Sequence, residues 1–275
     1  VGAFFVKDYL GLSAAFLAGL AFWAGIPWAL KMPLGHLVDL IWRWKAILVY
    51  LGAGLIALSV LIMYELIAHT GAMTAILRIE AWYVVAALLA PTGYVVQDVV
   101  ADAMTVEAVP LFDEAGTPFD DATIKAMHTT MQTLGRFAII SGTVAVAAVN
   151  IAKFSGVEAM SEARKAAIYA DIYLLALIIP AISILGVILG GATLRRRARA
   201  MRARGVDDET IEKALFASET ETEPNLWVLC GSIAFVVFIL VMGLAEVPWA
   251  QEIIFIGSMA IILFLMQRLI LELSP

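Results

Sequence analysis

The sequence predicts an all-α polytopic membrane protein with about seven complete transmembrane helices, each long enough to cross ~30 Å of hydrocarbon. Composition is the first observation behind this reading. Hydrophobic residues make up 62% of the 275, charged residues 15%, and mean hydropathy is +0.92, far outside the range of soluble globular chains. The second is the spacing of apolar runs, which fall at 13–34, 46–64, 80–104, 126–150, 171–194, 226–245 and 252–272 between polar connections. The third is the side on which the cations lie. With the connection after the first run taken as cytoplasmic, that side collects Lys31, Arg43, Lys45, Lys125, Lys213, Arg268 and the cluster from Arg195 to Arg204. Lys7, Arg78, Lys153, Arg164 and Lys165 fall on the other side, an asymmetry that orients the bundle. Net charge, −6, says little about partners here, because side matters more than sum. Cys230 stands alone, which excludes a disulfide framework and a cysteine metal site.

Val1 to Leu12 reads as the end of an earlier apolar helix and a short external turn, so the chain is expected to be a piece of a longer protein. The first complete span, from Ser13 to about Leu34, carries Pro27 and Pro33 and should kink there. A tight connection, 34–45, follows, with Gly35 for close helix approach and Asp39 able to pair with Arg43 or Lys45. The next span, 46–64, offers Gly52 and Gly54 as close-packing positions, and the link from Glu65 to Glu80 holds a solvated His69. Trp82 and Tyr83 mark the outer interface of the following span. An acidic, flexible internal loop runs from Pro110 to Lys125. After the 126–150 and 171–194 helices, the cluster Arg195 to Arg204 reads as a stop-transfer anchor and a contact for anionic lipids. Asp207 to Ala217 is a short helix capped by Asp207 or Asp208, with Ile211 and Leu215 on one face. The organisation is therefore a transmembrane bundle over 1–194, a cytoplasmic linker over 195–224 and two further helices over 225–275.

The chemistry concentrates at Gln97-Asp98-Val99-Val100-Ala101-Asp102-Ala103-Met104-Thr105-Val106-Glu107, where three carboxylates interrupt an apolar span. Asp98 and Asp102, four residues apart, share a helical face, and Glu107 lies toward the cytoplasmic end. A charge at mid-membrane costs about 2.5–3.5 kcal/mol on insertion scales, so such residues have partners. In the next helix His128, Gln132 and Arg136 form a stripe spaced by four. Arg136 lies ~15 Å into the membrane and Asp98 ~13.5 Å from the same side, so Arg136 is expected to face Asp98 or Asp102, with Gln97 and Gln132 alongside. Glu107 is expected to pair with Arg43 or Lys45 as a gate latch. A buried pair of this kind can equally lock helices together without touching substrate.

Gly35-x-x-x-Asp39-x-x-x-Arg43-x-Lys45 resembles the loop motif of the major facilitator superfamily. Phe5-Val6-Lys7-Asp8-Tyr9-Leu10-Gly11-Leu12-Ser13, the run Pro27 to Asp39, and Asp98-x-x-x-Asp102-Ala103-Met104-x-x-Glu107 are similar to its folate-biopterin transporter branch. The likeness covers residues 1 to about 110, and departs from the pattern in Met32, which separates Lys31 from Pro33, and in a short loop with few basic residues. It implies a major-facilitator-type helical bundle, a switching role for the Gly35, Asp39, Arg43, Lys45 loop, and a planar, anionic, pteridine-like cargo. Trp23, Trp28 and Tyr94 would then be stacking surfaces.

No phosphate-binding glycine loop, zinc spacing or nucleophile elbow occurs, so neither an ATP-driven pump nor a hydrolase is indicated, and no cofactor or nucleic-acid partner is expected. The expected function is proton-coupled secondary transport, a symport by alternating access, in a multi-pass protein of a bacterial inner membrane. Asp98 or Asp102 would carry the proton, and Arg136 would tune it or hold an anionic substrate. The rival expectation is a non-transporting member of the same fold that assists assembly or pigment delivery in a membrane complex.

Overall fold

The computed structural model describes residues 2–41, 44–113, 117–157, 160–216, 225–245 and 249–267. Among these the chain is helical apart from an isolated antiparallel bridge between Phe112 and Pro118. The helices in order are α1 (Gly2–Leu10), α2 (Ala14–Ala29), α3 (Lys31–Leu40), α4 (Lys45–Ala68), α5 (Thr70–Thr74) and α6 (Ile79–Glu107). They continue with α7 (Asp121–Phe154), α8 (Glu162–Ala176), α9 (Ile178–Ala203), α10 (Asp208–Phe216), α11 (Leu226–Leu244) and α12 (Ala250–Gln267). Among the described residues, five segments are long and apolar enough to cross a membrane: Ala14–Leu40, Lys45–Ala68, Ile79–Thr105, Asp121–Phe154 and Glu162–Ala203. The last two helices, α11 and α12, are apolar as well, with shorter apolar stretches over Leu226–Met242 and Glu252–Phe264 among the described residues.

Two of the five spans are broken, each beside a proline. Pro33 has no N–H to give the Ala29 carbonyl, so the first span divides at Leu30 into α2 and α3. Leu30 N–H turns back to the Pro27 carbonyl at 3.1 Å, and Leu34 N–H resumes the helical pattern on the Leu30 carbonyl at 2.9 Å. Pro180 does the same at Leu177, between α8 and α9. Glycine closes two helix ends. Gly11 (φ 68°) lets Leu12 N–H reach the Lys7 carbonyl at 2.8 Å, and Gly205 (φ 84°) lets Val206 N–H reach the Met201 carbonyl at 3.1 Å. Both are the left-handed terminations that favour residues without a Cβ.

Helix association in a bilayer gains little from hiding apolar surface, so close backbone approach and interhelical hydrogen bonds decide which helices meet. The tightest crossing joins α4 to α6. A Cβ built on Gly52 would stand 2.6 Å from both the Gln97 Cγ and the Gly93 carbonyl oxygen, while one on Gly54 would meet nothing within 4 Å. Of the two glycines read as packing positions, Gly52 has that role and Gly54 does not, and the partner is Gly93. Ser59 Oγ donates to the Ala86 carbonyl at 2.6 Å further along the same crossing. Around it, α8 and α9 lie on α4, α2 and α3 lie on α6, and α11 lies on α2 and α3. One buried cluster gathers Val6, Leu10, Ile62, Leu66, Ala86 and Tyr169. A second, Val38, Val49, Val95, Val99 and Val100, lies under the candidate site.

Gly35 and Asp39 lie within α3 and not in a loop. Leu34 N–H bonds the Leu30 carbonyl and Ile41 N–H the Leu37 carbonyl, so the helix continues through the motif up to Ile41. Gly35 is also not a tight crossing point, because a Cβ there would come no nearer than 4.0 Å to Val99 Cγ1. The internal loop carries a small turn, with Phe119 N–H on the Leu111 carbonyl and Thr117 N–H on Asp113 Oδ1, at 2.9 and 2.8 Å. The short helix of the linker is α10, capped by Asp207, which accepts from Thr210 N–H at 2.8 Å and Thr210 Oγ1 at 2.7 Å. These bonds hold the Asp207 carboxyl below its ordinary range. Ile211 is buried against Ala198 and Met201 of α9, and Leu215 packs beside it.

Candidate functional site

The site grows from one face of α6. Tyr94, Gln97, Asp98, Ala101, Met104 and Thr105 recur at helical spacing and line an open cavity of about 430 Å³, whose other walls are Val49 of α4, Met131 of α7, and Ser183, Gly186 and Val187 of α9. That volume falls in the range of small-molecule sites. Gln97 is fixed at both ends of its amide, with Nε2 donating to the Val49 carbonyl at 3.1 Å and Oε1 accepting from Ser183 Oγ at 3.4 Å.

Asp98 meets its cation across the α2–α3 break. Lys31, the first residue of α3, places Nζ 2.6 Å from Asp98 Oδ2 and 2.9 Å from Asp102 Oδ2. One ammonium thus joins two carboxylates a helical turn apart. The side chains differ in exposure, with Asp98 27% and Asp102 67% exposed, so Asp98 is the more enclosed member. Just before the break, Trp28 packs its ring on Tyr94, with centroids 5.3 Å apart and planes tilted by 55°.

Lys31 takes the role expected of Arg136. Arg136 is exposed on α7, a helix with no buried residue among those described. Met131 is the α7 residue that reaches the cavity, and Arg136, five positions later at ~100° per residue, projects about 140° around the helix from it. Arg136 is therefore exposed and outside the lining that contains Asp98. Gln132 is exposed on the same flank and does not line the cavity. The outer end of α7 is tied to the bundle by Lys153 and Asp171 at 3.7 Å and by the Phe154 and Tyr169 rings, centroids 4.8 Å apart.

Of the stacking candidates, Tyr94 lines the cavity, Trp28 packs on Tyr94 from outside the lining, and Trp23 also lies outside it. Of the gate residues, Asp39 is exposed on α3 and Lys45 begins α4, while Arg43 and the Glu107 side chain fall outside the described residues, as therefore does the expected latch. The arginines from Arg195 to Arg202 lie in the last turns of α9, with Arg204 as its C-cap and Arg202 Nε 2.8 Å from Asp208 Oδ1. Among the described residues no group of three metal-ligating side chains occurs.

Sequence reasoning missed three participants: Lys31, Gly93 and Ser183. Lys31 had a signal, since a lysine between Pro27 and Pro33 in an apolar span needs a carboxylate partner. His36 was passed over too. It is buried, and its Nε2 accepts from Asn225 N–H at 2.9 Å, fixing the start of α11 against α3. No family model, curated protein or solved structure matches the chain.

Proposed function

We propose that this protein is a secondary active transporter of a small organic solute, working by alternating access with proton coupling at Asp98 and Asp102. The observation that carries the reading is the Lys31 bridge: an ion triad spanning a helix break at the wall of a small-molecule cavity. Secondary transporters build their sites where membrane helices are discontinuous, because freed backbone groups and movable half-helices meet the cargo there. Protonating Asp98 removes the charge that holds Lys31, and the joint at Leu30 gives α2 and α3 a point about which to move separately. Anionic lipids would contact the arginines from Arg195 to Arg204 at the inner face of a bacterial membrane.

The resemblance over residues 1–110 adds a major-facilitator fold and a pteridine-like cargo to this reading. With Arg136 turned away, among the described residues no lysine or arginine lines the cavity to receive the anionic part of such a cargo. The non-transporting alternative, an assembly or pigment-delivery subunit, is favoured by one feature: α7 leaves Phe137, Ile139, Ile140 and Val144 exposed, as a helix awaiting a partner would. A stable copurifying partner in a native pull-down supports that alternative.

The test is uptake by proteoliposomes from a defined mixture of radiolabelled organic anions and cations, with and without an imposed pH gradient. Transport predicts that at least one solute accumulates with the gradient, and less so without it. No gradient-dependent accumulation over empty liposomes overturns the reading.

A further inference from the structure

The charge at the cavity wall selects the cargo, an inference that rests on reading this cavity as the transport site. Asp98 supplies a carboxylate and Tyr94, Gln97, Thr105 and Ser183 supply neutral polar groups, with no cation in the described lining. Lys31 reaches Asp98 from outside that lining and is shared with Asp102, so two carboxylates draw on one ammonium and a net negative charge remains. Both contacts use Oδ2, and among the described residues Oδ1 of Asp98 carries no hydrogen bond. That oxygen is open to a donor. The ammonium at 2.6 Å already occupies the other, so the carboxylate accepts a nitrogen cation in this setting.

The rest of the wall suits the body of such a molecule. Tyr94, backed by Trp28, offers an aromatic ring, and rings attract cations within ~6 Å of the centroid. Met104 and Met131 supply polarizable, adaptable apolar surface on either side. An anion of the same size would meet the net negative charge of the Asp98, Asp102 and Lys31 group and gain no opposite charge from the described lining.

We propose that the cavity binds a small organic cation, a protonated amine or amidine on an apolar ring, whose N–H donates to Asp98, with Lys31 as the resident cation it competes against. Proton and cargo then share one carboxylate, so the bound forms exclude each other and the coupling is exchange of a proton for a cation.

Benzamidine and benzoate, close in shape and opposite in charge, separate the possibilities. Their binding to the full chain in detergent is measured near neutral pH by equilibrium dialysis of the radiolabelled compounds. Saturable benzamidine binding is expected, weakened about tenfold or more in Asp98→Asn, with benzoate much weaker. Lys31→Gln, which removes the competitor, is expected to tighten benzamidine roughly threefold or more, and keeps the test decisive if Asp98→Asn fails to fold. Absent benzamidine binding, preference for benzoate, an unchanged affinity in folded Asp98→Asn, or a loss of affinity in Lys31→Gln each overturns the proposal. No gradient enters this measurement. Benzamidine that binds as expected but is not taken up by proteoliposomes supports the cation site and counts against transport alone.

Discussion

Asp98 and Asp102 share Lys31 but not an environment. Asp98 lines the cavity and is the more enclosed, while Asp102 stands at its flank, largely exposed. Neutralising Asp98 should therefore remove the pH response of uptake, whereas Asp102→Asn should reduce it partially, as read from uptake rate against external pH. The carboxylates were legible in the sequence because membrane insertion makes each one costly, and their shared face follows from a four-residue spacing. Their partner was not. Rise per residue put Arg136 at a depth like that of Asp98, but depth says nothing about which way a neighbouring helix is turned, and Met131 is the α7 residue that lines the cavity. Lys31 was hidden by its assignment to the cytoplasmic charge set, although the break at Leu30 carries it to Asp98.

At the scale of elements, the α4–α6 crossing is the part of the fold most exposed to single substitutions. Gly52→Val should destabilise the protein by about 1–3 kcal/mol, because the added carbons meet the Gln97 side chain and the Gly93 backbone. Gly54→Val, two residues away with open space around it, should leave the melting temperature in detergent nearly unchanged. Equal losses in both variants would contradict the crossing. The cap of α10 gives a pH prediction. The Asp207 carboxyl is held below its unfolded value, so the folded form binds fewer protons and the cap's contribution is present above about pH 4. It is lost as pH falls through the lower folded value. Protection of the Thr210 amide, relative to its intrinsic exchange rate at each pH, should fall at that end, and Asp207→Asn, an equally good cap without a charge, should flatten the dependence. The short helix was legible from its capping residue and the Ile211 and Leu215 spacing. The Gly35 motif was misread as a loop because glycine and charge suggest a turn, while the hydrogen bonds from Leu30 onward keep the backbone helical.

Across the whole molecule, periodicity and hydropathy delivered the helical class and the approximate spans, since both follow from local composition. Lateral order did not follow, because it depends on a few close approaches between residues far apart in sequence: Gly52 with Gly93, His36 with Asn225, Lys31 with Asp98. Two of these approaches, Gly52 with Gly93 and Lys31 with Asp98, converge on α6, which touches α2, α3, α4 and α7 and carries both carboxylates. A transport cycle that moves α3 against α6 must therefore break and remake the Lys31 bridge. The most direct measurement is gradient-driven uptake in proteoliposomes containing wild type, Asp98→Asn or Arg136→Ala, at matched protein levels. If Asp98 carries the proton, Asp98→Asn abolishes the response to the gradient while Arg136→Ala stays within about twofold of wild type, as a side chain outside the site should. Gradient response retained in Asp98→Asn, or lost in Arg136→Ala alone, would contradict that assignment.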